Sequence, residues 1–242
     1  MKPNETLWNQ TPVNGSNGHN GNHSGKHGHF HDEIGENHVA TSVETPLRPD
    51  AFELSDEQKI EMIESRFREI MDILGLDLND DSLNGTPRRV AKMYVKEIFS
   101  GLNPENKPEI TLFDNHYNYR EMLVEKDITF SSNCEHHFVP IYGRAHVAYI
   151  SKGKVIGLSK LNRIVQHFAR RPQVQERMTR QIAEELKKVL NTEDVAVLID
   201  ANHMCVSSRG VMDPNSSTIT ADYSGKFKNS ETRKEFLRYI KM

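Results

Sequence analysis

Met122-Leu123-Val124-Glu125-Lys126-Asp127-Ile128-Thr129-Phe130 and Val139-Pro140-Ile141-Tyr142-Gly143-Arg144-Ala145-His146-Val147-Ala148-Tyr149-Ile150 read as two strands. Ser151-Lys152-Gly153-Lys154 then reads as a hairpin turn leading into Val155-Ile156-Gly157. Working outward, two helical segments precede this pair and two follow it. Beyond those lie Val195 to Ile199, a short apolar strand, and Ser217 to Ala221, a second candidate. The order is helices, strand pair, helix pair, strand pair. That is an α+β chain rather than an alternating βαβ one, and no Gly-rich dinucleotide loop or 20–50-residue repeat is present.

The first helix opens on Ser55-Asp56-Glu57-Gln58, a capping box with acidic residues in its first turn. Ile60, Ile63, Phe67, Ile70 and Leu74 keep helical spacing, and Gly75 ends the run. A second helix opens at Thr86-Pro87, with proline at the first helical position, and is expected to stop near Gly101. Leu102 to Tyr119, with Pro104 and Pro108, reads as loop. After the strands come Ser159 to about Arg170 and, past Pro172, Gln173 to Leu190. In the latter, Met178, Ile182, Leu186 and Leu190 form an i+4 stripe.

Of 242 residues, the first 50 read as a disordered tail and 51–242 as the folded domain. Within the domain, helices occupy about 55–101 and the remaining part about 120–242. The tail holds six of 14 glycines and six of 12 histidines: His19, His23, His27, His29, His31 and His38. Such a segment has too little apolar surface to offset the entropy of ordering. Its histidines are expected either to chelate metal loosely or to be inert, and it supplies no catalytic group. Formal charge is −3, all of it in the tail, so the domain is neutral. Neutrality excludes general nucleic-acid binding, which needs a clustered basic excess. No apolar run approaches the roughly 20 residues of a membrane helix, and the N-terminus has no secretory apolar stretch. With two cysteines, Cys134 and Cys205, a reduced cytoplasmic setting is expected.

Cys134-Glu135-His136-His137 places a thiol and an imidazole three residues apart, so one turn can aim both at a point. Far downstream comes His203-Met204-Cys205. Two thiolates with one or two imidazoles suit zinc rather than magnesium or calcium, and three protein ligands are the catalytic count. The bland alternative is two buried thiols beside incidental histidines. His136 and His137 should diverge, so one of them joins Cys134. His203 and Cys205, two apart on an extended segment, would face one side, making His203 either a fourth ligand or a proton-transfer group. Ser159 is a candidate N-cap, with Lys160 and Arg163 on one helical face. A helix N-terminus with two cations suits a polyphosphate, though a solvated basic face has the same pattern. Arg209, Arg88, Arg89 and Lys92 are further basic candidates, and Gln175-Glu176 precede the apolar stripe.

Taken together, Cys134 to His137, Gly157-Leu158-Ser159-Lys160-Leu161-Asn162-Arg163, Arg171-Pro172-Gln173-Val174-Gln175-Glu176-Arg177, His203-Met204-Cys205 and Arg209-Gly210 resemble the GTP cyclohydrolase I family. Thr86 to Tyr94 fits as well. The resemblance runs from about Ser55 to the C-terminus, with Met178 a mild departure from the usual Leu or Ile. It implies a T-fold subunit: antiparallel sheet, helices on one face, an N-terminal helical segment and a toroidal homodecamer with active sites between subunits. It implies conversion of GTP and water to 7,8-dihydroneopterin triphosphate and formate, the first step towards folate or tetrahydrobiopterin.

By matching position, the resemblance makes Cys134, His137 and Cys205 the ligands of one zinc per subunit, whose water attacks C8 of guanine. It makes His203 the proton donor to N7, His136 a second acid/base group and Ser159 a helper in the later rearrangement. Gln175 becomes an auxiliary contact near the metal-activated water and the purine. Glu176 would accept the N1–H and 2-amino N–H of guanine, donors that adenine lacks. Lys160, Arg163 and Arg209, with Arg89 and Lys92 from a neighbour, would hold the triphosphate. A zinc nucleoside deaminase would need a C-x-x-C pair, which is absent. Another T-fold enzyme acting on a pterin or deazapurine, or an inactive paralogue, would differ in releasing no formate from GTP.

Overall fold

The computed structural model describes residues 42–242; the expected tail up to residue 41 lies outside the described residues. The strands are β1 Leu112–Asp114, β2 Met122–Cys134, β3 Pro140–Ile150, β4 Lys154–Ile156, β5 Pro172–Gln173, β6 Val195–His203 and β7 Thr218–Tyr223. The helices are α1 Asp56–Ile73, α2 Thr86–Met93, α3 Leu158–Ala169, α4 Gln175–Leu190, α5 Met204–Ser207 and α6 Ser230–Lys241.

Local chemistry sets the N-terminal helices as expected. The Ser55 side chain accepts from Gln58 N–H, and the Gln58 side chain accepts from Ser55 N–H, so α1 has its capping box. Gly75 ends it at φ 79°, with Gly75 N–H donating to Asp72 O and Leu76 N–H to Met71 O. Of the expected apolar stripe, Ile60 is buried and Ile63 and Phe67 half-buried, while Ile70 and Leu74 are exposed. Arg88 ties α2 back to α1 through Glu57 and Glu64, at 2.7 and 2.8 Å. The helix then widens into a π turn over Tyr94–Ile98.

A five-stranded sheet in the order β5-β2-β3-β6-β7 carries the fold, and every pair but β5-β2 is antiparallel. In β2 the register with β3 shifts between Glu125 and Ile128, where Asp127 takes φ 57°. This extra residue reverses which parity points to which side. Before it, Met122 faces one layer with Ala148, Ile150, Ala196 and Leu198. After it, Ile128, Phe130 and Cys134 face the other layer, packing with Leu161, Ile164, Met178, Ile182 and Leu186 of α3 and α4. The bulge is why one strand serves two cores and still delivers Cys134 to the helical side.

The α+β class and the packing of α3 and α4 on one face agree with the sequence reading; α6 and Phe227 add a smaller layer on the opposite face. Phe227 and Phe236 are fully buried there, in a segment the sequence reading left without an element. Several expectations need correction. The segment after the Ser151–Lys154 turn does not extend the main sheet. As β4 it pairs with β1, drawn from the supposed loop, while the end of β3 stays with β6 through Ile150 N–H to Asp194 O. Gly157, not Ser159, is the N-cap of α3, and Ser159 makes no capping bond. Gln173 is in β5, so α4 starts at Gln175.

Between β3 and β6, Gly143 lies opposite Ala201. A Cβ there would meet Asp200 O at 2.1 Å and Ala201 Cα at 2.6 Å, both backbone atoms that cannot swing away. Gly143→Ala is therefore expected to destabilise the fold by about 1–3 kcal/mol through overpacking, read as a lowered denaturation midpoint.

Candidate active site

The β2–β3 connection builds half of the site. Phe138 N–H donates to Cys134 O at 2.8 Å and Cys134 N–H to Val139 O at 2.8 Å, closing a tight turn with Phe138 at φ 55°. The Phe138 ring is held against Phe99 at 5.1 Å between centroids, so the turn is pinned from outside. Within it the rings of His136 and His137 diverge, 6.4 Å apart and inclined by 74°. β6 builds the other half. It ends at His203, opposite Ile141, and the chain at once coils into α5. The extended segment expected for His203-Met204-Cys205 is thus replaced by a strand-to-helix switch, which turns Cys205 towards Cys134.

Ligand atoms of Cys134, His137 and Cys205 all lie within 4.8 Å of one another. Cys134 is buried, Cys205 half-buried and His137 exposed, so the cluster has a dry floor and an open rim. Burial pushes the Cys205 thiol up to about 11, and the neighbouring Cys134 thiol adds to the shift. Two thiolates side by side in such a place need a cation to exist together. The donor set fits a soft divalent ion and leaves one tetrahedral position for a non-protein ligand. His136 Nδ1 is 3.7 Å from Cys134 Sγ, and Arg209 Nη1 donates to His137 Nε2 at 3.0 Å.

His203 is fixed by Gln175. The Gln175 amide nitrogen points at Ile199 O, Thr218 O and Thr220 Oγ1, at 3.2, 2.8 and 3.1 Å. All three can accept, which orients the amide and leaves its Oε1 facing His203 Nε2 at 2.7 Å. The proton on that ring therefore sits on Nε2, and Nδ1 is the atom left to exchange one. Burial holds the His203 pKa below the usual imidazole range, with Glu176 pulling the other way. Gln175 itself is buried with both ends of its amide engaged, so it orients His203.

Glu176, at the start of α4, is exposed beside this pair. Lys160 Nζ donates to Glu109 O at 2.6 Å. Exposed Arg163 lines a cavity of about 420 Å³ with Lys96, Gln166, His167 and Arg170. Arg89, on α2, donates to Ser82 O and Thr86 Oγ1, and Lys92 is exposed one turn on. The described contacts thus unite Cys134, His136, His137, Cys205, Arg209, His203, Gln175 and Glu176. They leave Ser159, Lys160, Arg163, Arg89 and Lys92 on α3 and α2.

One pair escaped the sequence reading. Arg177, its side chain 3% exposed, grips Glu135 through both terminal nitrogens. The available signal was a cation in α4 next to Met178 of the buried stripe.

Three side chains able to ligate one metal ion, with a half-buried, oriented histidine alongside, are the arrangement of a metal-dependent hydrolytic centre on an α+β scaffold. A profile of the GTP cyclohydrolase I family matches residues 63–241. Proteins named GTP cyclohydrolase 1 are similar to this chain along most of its length. That of Flavobacterium johnsoniae is 61% identical over 213 residues, covering 88% of this chain and 96% of its own. That of Enterobacter sp. (strain 638) is 56% identical over 204 residues, covering 84% and 92%. That of Vibrio parahaemolyticus is 58% identical over 200 residues, covering 82% and 91%. The chain belongs to the GTP cyclohydrolase I family, and its architecture is the T-fold subunit of that family.

Proposed function

We propose that this chain is a GTP cyclohydrolase I, converting GTP and water to 7,8-dihydroneopterin triphosphate and formate as the first step of folate or tetrahydrobiopterin synthesis. The observation that carries the reading is the meeting of Cys134, His137 and Cys205 beside the oriented His203. Those three residues would hold one zinc ion per subunit, which supplies Lewis acidity towards water when bound. His203, with Nε2–H tied to Gln175, exchanges its proton at Nδ1 and delivers it to the purine imidazole ring. Its lowered pKa makes the protonated ring a stronger acid. His136 serves ring opening and formate loss as a second acid/base group, and Ser159 assists the rearrangement near the ribose.

Glu176 receives the N1–H and 2-amino N–H of guanine and so rejects adenine. Lys160, Arg163 and Arg209 bind the triphosphate, with Arg89 and Lys92 entering from a neighbouring subunit. The exposed Ile70, Ile73 and Leu74 at the end of α1, and Val211 and Met212 after Arg209, support self-association, which on this reading is the homodecamer. No helix among the described residues is long and apolar enough to cross a membrane, and the enzyme works in the cytoplasm on this reading.

Incubation with GTP followed by oxidation will give a fluorescent pterin and stoichiometric formate; zinc-loaded protein yielding neither overturns the assignment. Glu176→Ala is expected to weaken GTP and guanosine alike, by about 10- to 100-fold for a lost charged hydrogen-bond partner. Arg163→Ala should weaken GTP to a similar degree and guanosine hardly at all. Titration of both ligands into both variants separates base from phosphate recognition.

A further inference from the structure

Arg177 presents a buried cation to a residue that sits between two members of the metal turn. Its two terminal nitrogens hold both oxygens of Glu135, with Nη2 to Oε1 at 3.2 Å, and Nε donates to Ser42 O at 2.8 Å. A planar fork matched to a carboxylate fixes the plane of the carboxylate as well as its distance. Glu135 N–H donates in turn to Gln173 O at 3.0 Å, so the residue is anchored by backbone and side chain together.

A second route runs parallel to the first. Gln181, one helical turn after Arg177, donates to Val43 O at 3.1 Å and accepts from Gln173 Nε2 at 2.9 Å. Gln173 in β5 is in register with Cys134. Both routes begin on the Ser42–Val43 backbone and end on adjacent residues of the ligand turn. Arg177 lies next to the apolar stripe of α4, where an aliphatic residue would satisfy packing without the cost of burying a charge. Packing therefore does not account for it, whereas the orientation of Glu135 does.

We propose that Arg177 is a positioning residue for the metal site, and that residues 42–43 form a strap locking it onto Glu135. This rests on the zinc reading above. The brace holds Cys134 and His137 at the spacing a tetrahedral ion requires, acting through Glu135 and Gln173 rather than by touching substrate. Outer partners of this kind typically carry about 10- to 100-fold in metal affinity.

The test compares zinc loss to a chelator, and the absorption spectrum of the cobalt-substituted protein, across the full chain, three substitutions and two N-terminal truncations. Arg177→Ala is expected to lose zinc about 10- to 100-fold faster and to shift the cobalt bands, with an unchanged circular dichroism spectrum. Its kcat should fall while KM for GTP stays. Arg177→Lys should not rescue it, since an ammonium cannot fork. Removing residues 1–44 should speed zinc loss in the same direction, whereas removing 1–41 should leave it as in the intact chain. A folded Arg177→Ala protein with the intact chain's zinc loss and cobalt spectrum overturns the brace. If that variant does not fold, the 1–44 truncation decides by the same two readouts, and an intact-like result overturns the strap. If the intact chain holds no zinc, or Cys134→Ala holds it equally well, the metal reading fails and the brace falls with it.

Discussion

Replacing Cys205 by alanine is expected to remove bound zinc and turnover in the same preparation, leaving activity at background. Three ligand atoms within 4.8 Å can hold an ion with one coordination position open, but two cannot keep it against solution competitors. Cys134→Ala and His137→Ala should behave identically. The fold should survive all three, because only Cys134 is a buried member of the core, whose other residues remain. Elemental analysis and a GTP assay on one sample check the prediction. A Cys205→Ala protein that retains stoichiometric zinc would show that the ion lies elsewhere.

His203→Ala is expected to separate what the cysteine variants join. Turnover should fall by about 10²- to 10⁴-fold, the usual worth of a positioned acid or base, while zinc content stays stoichiometric. The structural reason is the direction of the ring. Its Nε2 is committed to Gln175 Oε1 at 2.7 Å, and the Gln175 amide is itself locked by three acceptors. An imidazole held from that side is expected to act as an oriented acid beside the metal, not as a ligand. Metal-free His203→Ala protein would reverse the assignment.

Much of the fold was legible because the signals were local. The Ser55–Gln58 box, Pro87 and Gly75 each act within one helical turn, and each does in the structure what its side chain or φ dictates. Cys134 and His137 were legible for the same reason, since an i, i+3 pair on a closed turn converges whatever surrounds it. The bulge at Asp127 was not. Met122 and Phe130 have the same parity, and nothing in a period-two pattern announces that they end in different cores. β5 was too short to see, two residues whose pairing with Asn133 and Cys134 depends on β2 already being in place. Glu135 and Arg177, 42 positions apart, each resemble an ordinary helix or turn charge until the sheet brings them together.

The boundary expected at residue 50 rests on a change in composition alone. Two backbone carbonyls before it, Ser42 O and Val43 O, accept hydrogen bonds from Arg177 and Gln181 of α4. Composition reports side chains, and these contacts are made by the main chain.

Ser42 and Val43 reach α4 through carbonyl oxygens that every residue type carries, so a side-chain substitution at either position leaves both hydrogen bonds available. A cut just beyond them removes both at once. The attachment is therefore blind to which residues stand there and sensitive only to whether the chain is continuous through them.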